Sequence, residues 1–279
     1  MSRIQITAIC LAFLFVSQSA WAHYLWVTVD KKTDKPAVAN LYFEGGPGAG
    51  NGKYLEPFIK HGVMWIRTLE NGEPKKLKME VAEKPKKRWL TAKLEKSSPV
   101  AIESYGKWGV YRYGKTDVLL HYNAKNLDVS NAEELSQFAR AKHLSLDIVP
   151  KLGKDCVEVQ VLWKDKPAGG RSVYIRGAGG FKKTVKTDKE GIARFEPKEA
   201  GRYTLRTNVE ERRVAPTTAR NINWCATIVR CWFTFQSRTE SSERRHAIEL
   251  SLAASQSQSE KSPLRVEFSA VLRIPSCKS

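Results

Sequence analysis

The stretch Thr187-Asp188-Lys189-Glu190-Gly191-Ile192-Ala193-Arg194-Phe195 decides the fold class of this chain. Asp188-Lys189-Glu190-Gly191 is a tight turn, with glycine where a positive φ is required. Short runs rich in β-branched and aromatic residues enter it (183–187) and leave it (192–195), so the local unit is sheet. Upstream, residues 157–162 place Val157, Val159 and Val161 on one face, the period of a half-buried strand. Residues 144–149 alternate too, and Pro150 is expected to end that strand. Lys164-Asp165-Lys166-Pro167 reads as a turn, and 172–175 and 203–209 as further strands. About six strands in so short a span predict a compact antiparallel sandwich over residues 144–211.

Residues 23–143 repeat this logic. Strands are expected at 24–29, 37–43, 63–69, 77–81, 89–94, 100–105, 108–113 and 118–122, separated by Gly, Pro, Asn and Lys. Asn71-Gly72 marks a hairpin turn. The run Gly45-Gly46-Pro47-Gly48-Ala49-Gly50-Asn51-Gly52 lacks the Lys-Ser/Thr ending of a phosphate-binding loop and no helical pattern follows it, so it reads as a surface loop. One helix is expected, over 131–142. Ser130 and Glu133 form its capping box, and Ala132, Leu135, Phe138 and Ala139 form its apolar stripe. His143 would then sit at the helix C-terminus, where the dipole favours a partly charged imidazole. Strands of this number and spacing suggest a sandwich or barrel, and the fold class is taken as all-β: two β-sandwich domains, 23–143 and 144–211, with one short helix between them.

Residues 1–22 read as a cleaved secretory signal. Arg3 is the basic n-region, 4–16 are largely apolar, and Ala20-Trp21-Ala22 supplies small residues at the cleavage positions. The apolar run is short for a membrane span and no later stretch qualifies. A periplasmic or secreted location follows as the expectation. The chain has 279 residues and a formal charge of +18, carried largely by lysines scattered through turns and strands. Nucleic-acid binding needs a basic stripe with groove-reading elements, and no such motif is present. Cys156, Cys225, Cys231 and Cys277 lie beyond the signal, an even number that permits disulfides in an exported chain. The spacing of Cys225 and Cys231 fits no zinc motif.

Cleavage after Ala22 would leave His23 as the first residue. An N-terminal histidine offers one metal two nitrogens, the α-amine and the imidazole Nδ1, which become neutral donors near neutral pH. That pair suits nickel, cobalt or copper better than magnesium or calcium. His121, on the strand 118–122, is the second candidate ligand. His61 reads as a surface-loop residue, and Glu44 and Glu103 are candidate oxygen ligands at strand ends. No Gly-x-Ser-x-Gly elbow, His-Glu-x-x-His helix or His/Cys cluster is present, so no catalytic residue is assigned.

The order Pro167-Ala168-Gly169-Gly170, Val173-Tyr174-Ile175, Thr187 to Phe195 and Ala200-Gly201-Arg202-Tyr203-Thr204-Leu205 resembles carboxypeptidase-regulatory or transthyretin-like immunoglobulin modules. With Ala22-His23-Tyr24-Leu25-Trp26, residues 110–113 and Leu119-Leu120-His121-Tyr122-Asn123-Ala124-Lys125, the likeness widens. Residues 20–211 then resemble an exported bacterial family of unknown function, some members of which accompany nickel or cobalt uptake transporters. The resemblance implies an extracytoplasmic metal-handling role beside a membrane transporter, with His23 as natural ligand and His121 to Lys125 as a second matching segment. Two other readings remain open: a non-catalytic surface sandwich that binds polysaccharide or protein, and a copper oxidase of the histidine-brace type, which needs a second histidine in space.

The composition breaks at residue 212. All 18 glycines and all nine tyrosines precede it, and the tail 212–279 has no Asp. At the earlier density a tail of this length would hold about six glycines. Ser255-Gln256-Ser257-Gln258-Ser259 is low in complexity. The tail reads as frame-shifted or disordered, so Cys225, Cys231, Cys277 and His246 carry no chemistry. It begins where the sandwich needs its closing strand, and residues 222–235 are apolar enough to take that place.

Overall fold

The computed structural model describes residues 23–32, 35–95, 99–113, 116–153, 156–199, 201–213 and 225–237, the last stretch by its backbone. Residues 1–22, expected as a signal, and most of the tail, with His246 and Cys277, lie outside the described residues. The protein is all-β, two sandwiches that share one long sheet.

The first sandwich packs two layers. One is β1 (Tyr24–Lys32), β2 (Lys35–Glu44), β6 (Lys87–Lys93) and β5 (Glu80–Lys84), in the order β1-β2-β6-β5. The other is β8 (Thr116–Asp128), β7 (Val100–Tyr113), β3 (Val63–Thr68) and the two-residue β4 (Lys75–Lys76). Val118, Leu120, Tyr122 and Ala124 alternate along β8 and meet Leu25, Leu41 and Phe43 across the gap, all buried. Each such side chain contributes about 1.5–3 kcal/mol by leaving water.

The second sandwich packs β9 (Leu146–Leu152), β10 (Val157–Trp163), β11 (Lys166–Pro167) and β14 (Ile192–Phe195) against β12 (Ser172–Arg176), β13 (Lys182–Lys186) and β15 (Gly201–Arg213). Val157, Val159 and Val161 are fully buried, as their alternation requires. The turn after Asp188 forms: the Gly191 N–H donates to Asp188 O, the Asp188 carboxylate accepts from Ile192 N–H at 2.7 Å, and Gly191 has φ of 73°. Tyr203, near the start of β15, donates its hydroxyl to Glu199 O at 2.7 Å. That bond to backbone a few residues upstream is the tyrosine corner of immunoglobulin-like sandwiches.

Several expected elements change. Pro150 does not end β9, which runs on to Leu152 with Pro150 opposite Val159. Among the described pairings β9 bonds only to β10, so the missing N–H faces an unpaired edge. The strands expected at 100–105 and 108–113 are one strand, β7, with a bulge between Lys107 and Gly109. The strand expected at 77–81 is displaced to β5, and β11 arises inside an expected turn. Lys164 and Asp165 take positive φ of 50° and 64°, the two-residue hairpin geometry that brings Lys166 back beside Trp163.

Among the described residues there are two α-helices rather than one. The unexpected α1 (Glu56–His61) follows the glycine loop and buries Phe58 beneath β7. His61 therefore ends a helical turn rather than lying in a loop. The expected helix is shorter, α2 (Ala132–Phe138), and its box is shifted by one residue. Asn131 accepts from Glu134 N–H at 2.9 Å and Glu134 accepts from Ser130 N–H at 2.7 Å. His143 lies beyond the helix, its ring 4.6 Å from that of Trp65, so the dipole role does not hold.

Strand β8 separates two cores. Leu127, on the face opposite Tyr122, joins Ala101, Leu135, Phe138 and Ile148 in the second core, although these positions precede or straddle residue 143. Beneath α2 lie two buried ion pairs, Arg67–Glu103 at 2.8 Å and Lys125–Asp147 at 2.5 Å. Arg67 also donates to the carbonyls of Gln137, Phe138 and Arg140. Glu103 accepts the N–H groups of Lys142 and His143, Asp147 accepts that of Ala141, and Lys125 donates to Ala139 O. The backbone leaving α2 is thus held by charge-assisted bonds from both layers.

The backbone of β16 (Cys225–Ser237) closes the shared sheet, antiparallel to β15 and parallel to β8. The apolar stretch expected to take the closing place does so, and this part of the tail is strand rather than disordered.

Candidate metal centre

His23 immediately precedes β1. The β1–β2 hairpin pairs Tyr24 with Glu44 and Leu25 with Phe43, which returns the end of β2 to the imidazole. Glu44 Oε2 lies 3.9 Å from His23 Nε2, and both side chains are partly shielded. The ring of Phe43 lies 5.8 Å from the imidazole, and that of Tyr54 meets it edge-on at 4.8 Å. The glycine loop is folded over the carboxylate: a Cβ at Gly50 would collide with it, and Gly52 N–H points to Glu44 Oε1 at 3.4 Å.

His121 sits elsewhere. Phe43 carries His23 toward Tyr122, 4.9 Å away on the inner face of β8. His121 alternates with Tyr122 and projects from the opposite face, where its Nδ1 and the Tyr105 hydroxyl are 2.6 Å apart. Burial holds the Tyr105 phenol above its ordinary value, so it is neutral and able to donate to that nitrogen. The two histidines of the sequence reading therefore do not converge. Glu103 is not an available ligand either: it is fully buried and committed to Arg67 and two backbone N–H groups. Glu44 remains.

Among the described residues no three His, Cys, Asp or Glu side chains gather at a point that could hold a metal. At His23 the side chains alone give an imidazole and one carboxylate. A third donor would have to be the backbone nitrogen of His23, released as an amine. Because Glu44 lies on the Nε2 side, the chelating donors are the two nitrogens, Nδ1 and the amine, a set that fits a borderline divalent transition metal.

Three exposed or half-exposed aromatic residues extend from this place, and sequence reading did not group them. The Tyr54 ring lies 6.5 Å from Trp108, and Trp108 lies 6.1 Å from Tyr111. In a regular strand residues 108 and 111 would face opposite ways. The bulge pairs Gly109 with Leu120 and Tyr111 with Val118, both inner-face positions, so Trp108 and Tyr111 share that side. Gly109 has φ of 125°, and it was the one local signal of the bulge.

No family model matches the chain, and no curated relative matches it. Among solved structures, the crystal structure of chicken CNTN1 FN1-FN3 domains aligns at 6% identity with a TM-score of 0.17, covering 78% of this chain and 69% of that one. A likeness at that level says nothing about chemistry. Among the described residues no helix is long and apolar enough to cross a membrane.

Proposed function

We propose that this is an exported transition-metal-binding protein, an accessory to nickel or cobalt uptake that acts beside a membrane transporter. The observation that carries the reading is the setting of His23, an imidazole at the start of β1 with the Glu44 carboxylate 3.9 Å from Nε2. A carboxylate on that side, beyond hydrogen-bond reach but close enough to favour a cationic or metal-bound ring, leaves Nδ1 for the metal. Export with cleavage after Ala22 supplies the neighbouring α-amine, and the two nitrogens then close a chelate ring. The glycine loop and the Phe43 and Tyr54 rings restrict the imidazole, which lowers the entropy lost on binding. Nickel or cobalt, rather than copper, rests on the family resemblance of residues 20–211.

The test is calorimetric titration with Ni(II), Co(II) and Cu(II). A chain starting at His23 is compared with one carrying an extra N-terminal residue and with Glu44→Gln. The expected result is binding by the first, a loss of at least about tenfold on extension, and a smaller loss in Glu44→Gln. Equal affinity in the extended chain would remove the amine from the site. No binding by the chain starting at His23 would end the metal reading.

A further inference from the structure

We infer that the row Tyr54–Trp108–Tyr111 is a stacking platform for an acidic polysaccharide. The rings follow one another at 6.5 and 6.1 Å, within the range of direct ring contact, and are tilted by 57° and 59°, a twisted row that suits a helically twisted sugar chain. Tyr54 is 37% and Tyr111 45% exposed. Trp108 packs in part against the first core, and Tyr54 and Tyr111 stand outside it. The bulge at Trp108, with Gly109 held at a φ that other residues resist, is what puts Trp108 and Tyr111 on one side.

The chemistry of such a row is specific. A pyranose has a face of weakly positive C–H groups, which matches the negative face of an aromatic ring, and a rim of hydroxyls, which phenol oxygens can meet. Successive rings along one side suit a ligand that repeats, rather than a single small molecule. Lys53 lies at one end, its Nζ 5.3 Å from the Tyr54 ring centre, and pairs with no carboxylate among the described residues. Arg112, at the other end, is tied to Asp117. One ammonium without a carboxylate partner among the described residues, beside three rings, fits a chain with sparse carboxylates better than one with a phosphate on every unit, which needs a basic track along the whole groove. The +18 charge of the chain draws a polyanion toward the surface at a distance.

The row shares Tyr54 with the setting of His23, so the experiment excludes metal to keep the two readings apart. The full chain is titrated in EDTA with hyaluronate fragments, which carry a carboxylate on every second sugar, and calorimetry is the readout. Binding is expected, weakened about three- to tenfold by each of Tyr54→Ala and Trp108→Ala and retained in Trp108→Phe. Lys53→Gln should weaken it for the acidic chain and leave a neutral glucan fragment unaffected. Circular dichroism of Tyr54→Ala and Tyr111→Ala, both at exposed positions, separates lost stacking from lost folding. Unchanged affinity in a folded Trp108→Ala protein would overturn the assignment. So would equal affinity for polyglutamate, no binding to any sugar chain, or tighter row-dependent binding to oligothymidylate or to anionic phosphatidylglycerol vesicles.

Discussion

Replacing Glu103 by leucine should cost about 3–5 kcal/mol of stability, the usual range when one partner of a buried ion pair is removed. The side chains of Arg67 and Glu103 are 2% and 0% exposed, so no water replaces the lost carboxylate. Arg67 would keep its charge and its three carbonyl acceptors, while the N–H groups of Lys142 and His143 would lose theirs. Arg67→Met should cost a similar amount, since it strands Glu103 and frees the carbonyls of Gln137, Phe138 and Arg140. The double variant tests the coupling. Removing both charges eliminates the stranded ion, so it should cost less than the two single changes together by about 1–3 kcal/mol. It should not return to the starting stability, because the backbone groups of 137–143 remain without partners. Urea unfolding at constant m reads all three. Single changes that each cost under about 1 kcal/mol, or a strictly additive double variant, would refute the view that these charges hold the segment leaving α2.

Gly106→Ala should destabilise by about 1–3 kcal/mol, because its Cβ would run into the Phe58 ring beneath β7; urea unfolding measures it. Asn131→Ala should cost about 0.5–2 kcal/mol by removing the α2 cap, read as a lower unfolding midpoint. Burial raises the Tyr105 pKa above its ordinary 10.0, so the folded state holds this proton more tightly than the unfolded chain. The resulting stability is complete below pH 10.0 and declines as pH rises from there through the folded-state value. Tyr105→Phe should therefore flatten the alkaline fall in stability measured by denaturant titration above pH 10.0; an identical slope in both proteins would refute it.

Much of the fold was legible because strands announce themselves locally. The Val157, Val159 and Val161 alternation and the Asp188 to Gly191 turn need only neighbours in sequence, and both appear as read. The Ala-Gly-Arg-Tyr segment gains its reason from the structure. Gly201 takes φ of 148°, and Tyr203 reaches back to Glu199, over a Gly177 that leaves room for the ring. Lys125, which entered only as part of a matching segment with His121, is a buried structural partner of Asp147. A lysine in a strand looks like a solvated one until its counter-ion, 22 residues away, is seen beside it.

The candidate site was half legible. His23 could be singled out because its chemistry depends on position in the chain alone. Its pairing with His121 could not be judged, because alternation along β8 says that His121 and Tyr122 face opposite ways but not which side His23 approaches. Likewise Tyr54, Trp108 and Tyr111 become neighbours only through the hairpin, α1 and a single bulge, and one inserted residue reverses the face of everything after it. The sequence by itself determined most of the strands, the Asp188 to Gly191 turn and which histidine stands just before β1, since these follow from short-range sterics and the twofold side-chain period. Only the tertiary structure decided that Glu44 rather than His121 meets His23, that Glu103 is consumed by Arg67, and that three aromatic rings form one row, because each depends on contacts between residues far apart in the chain.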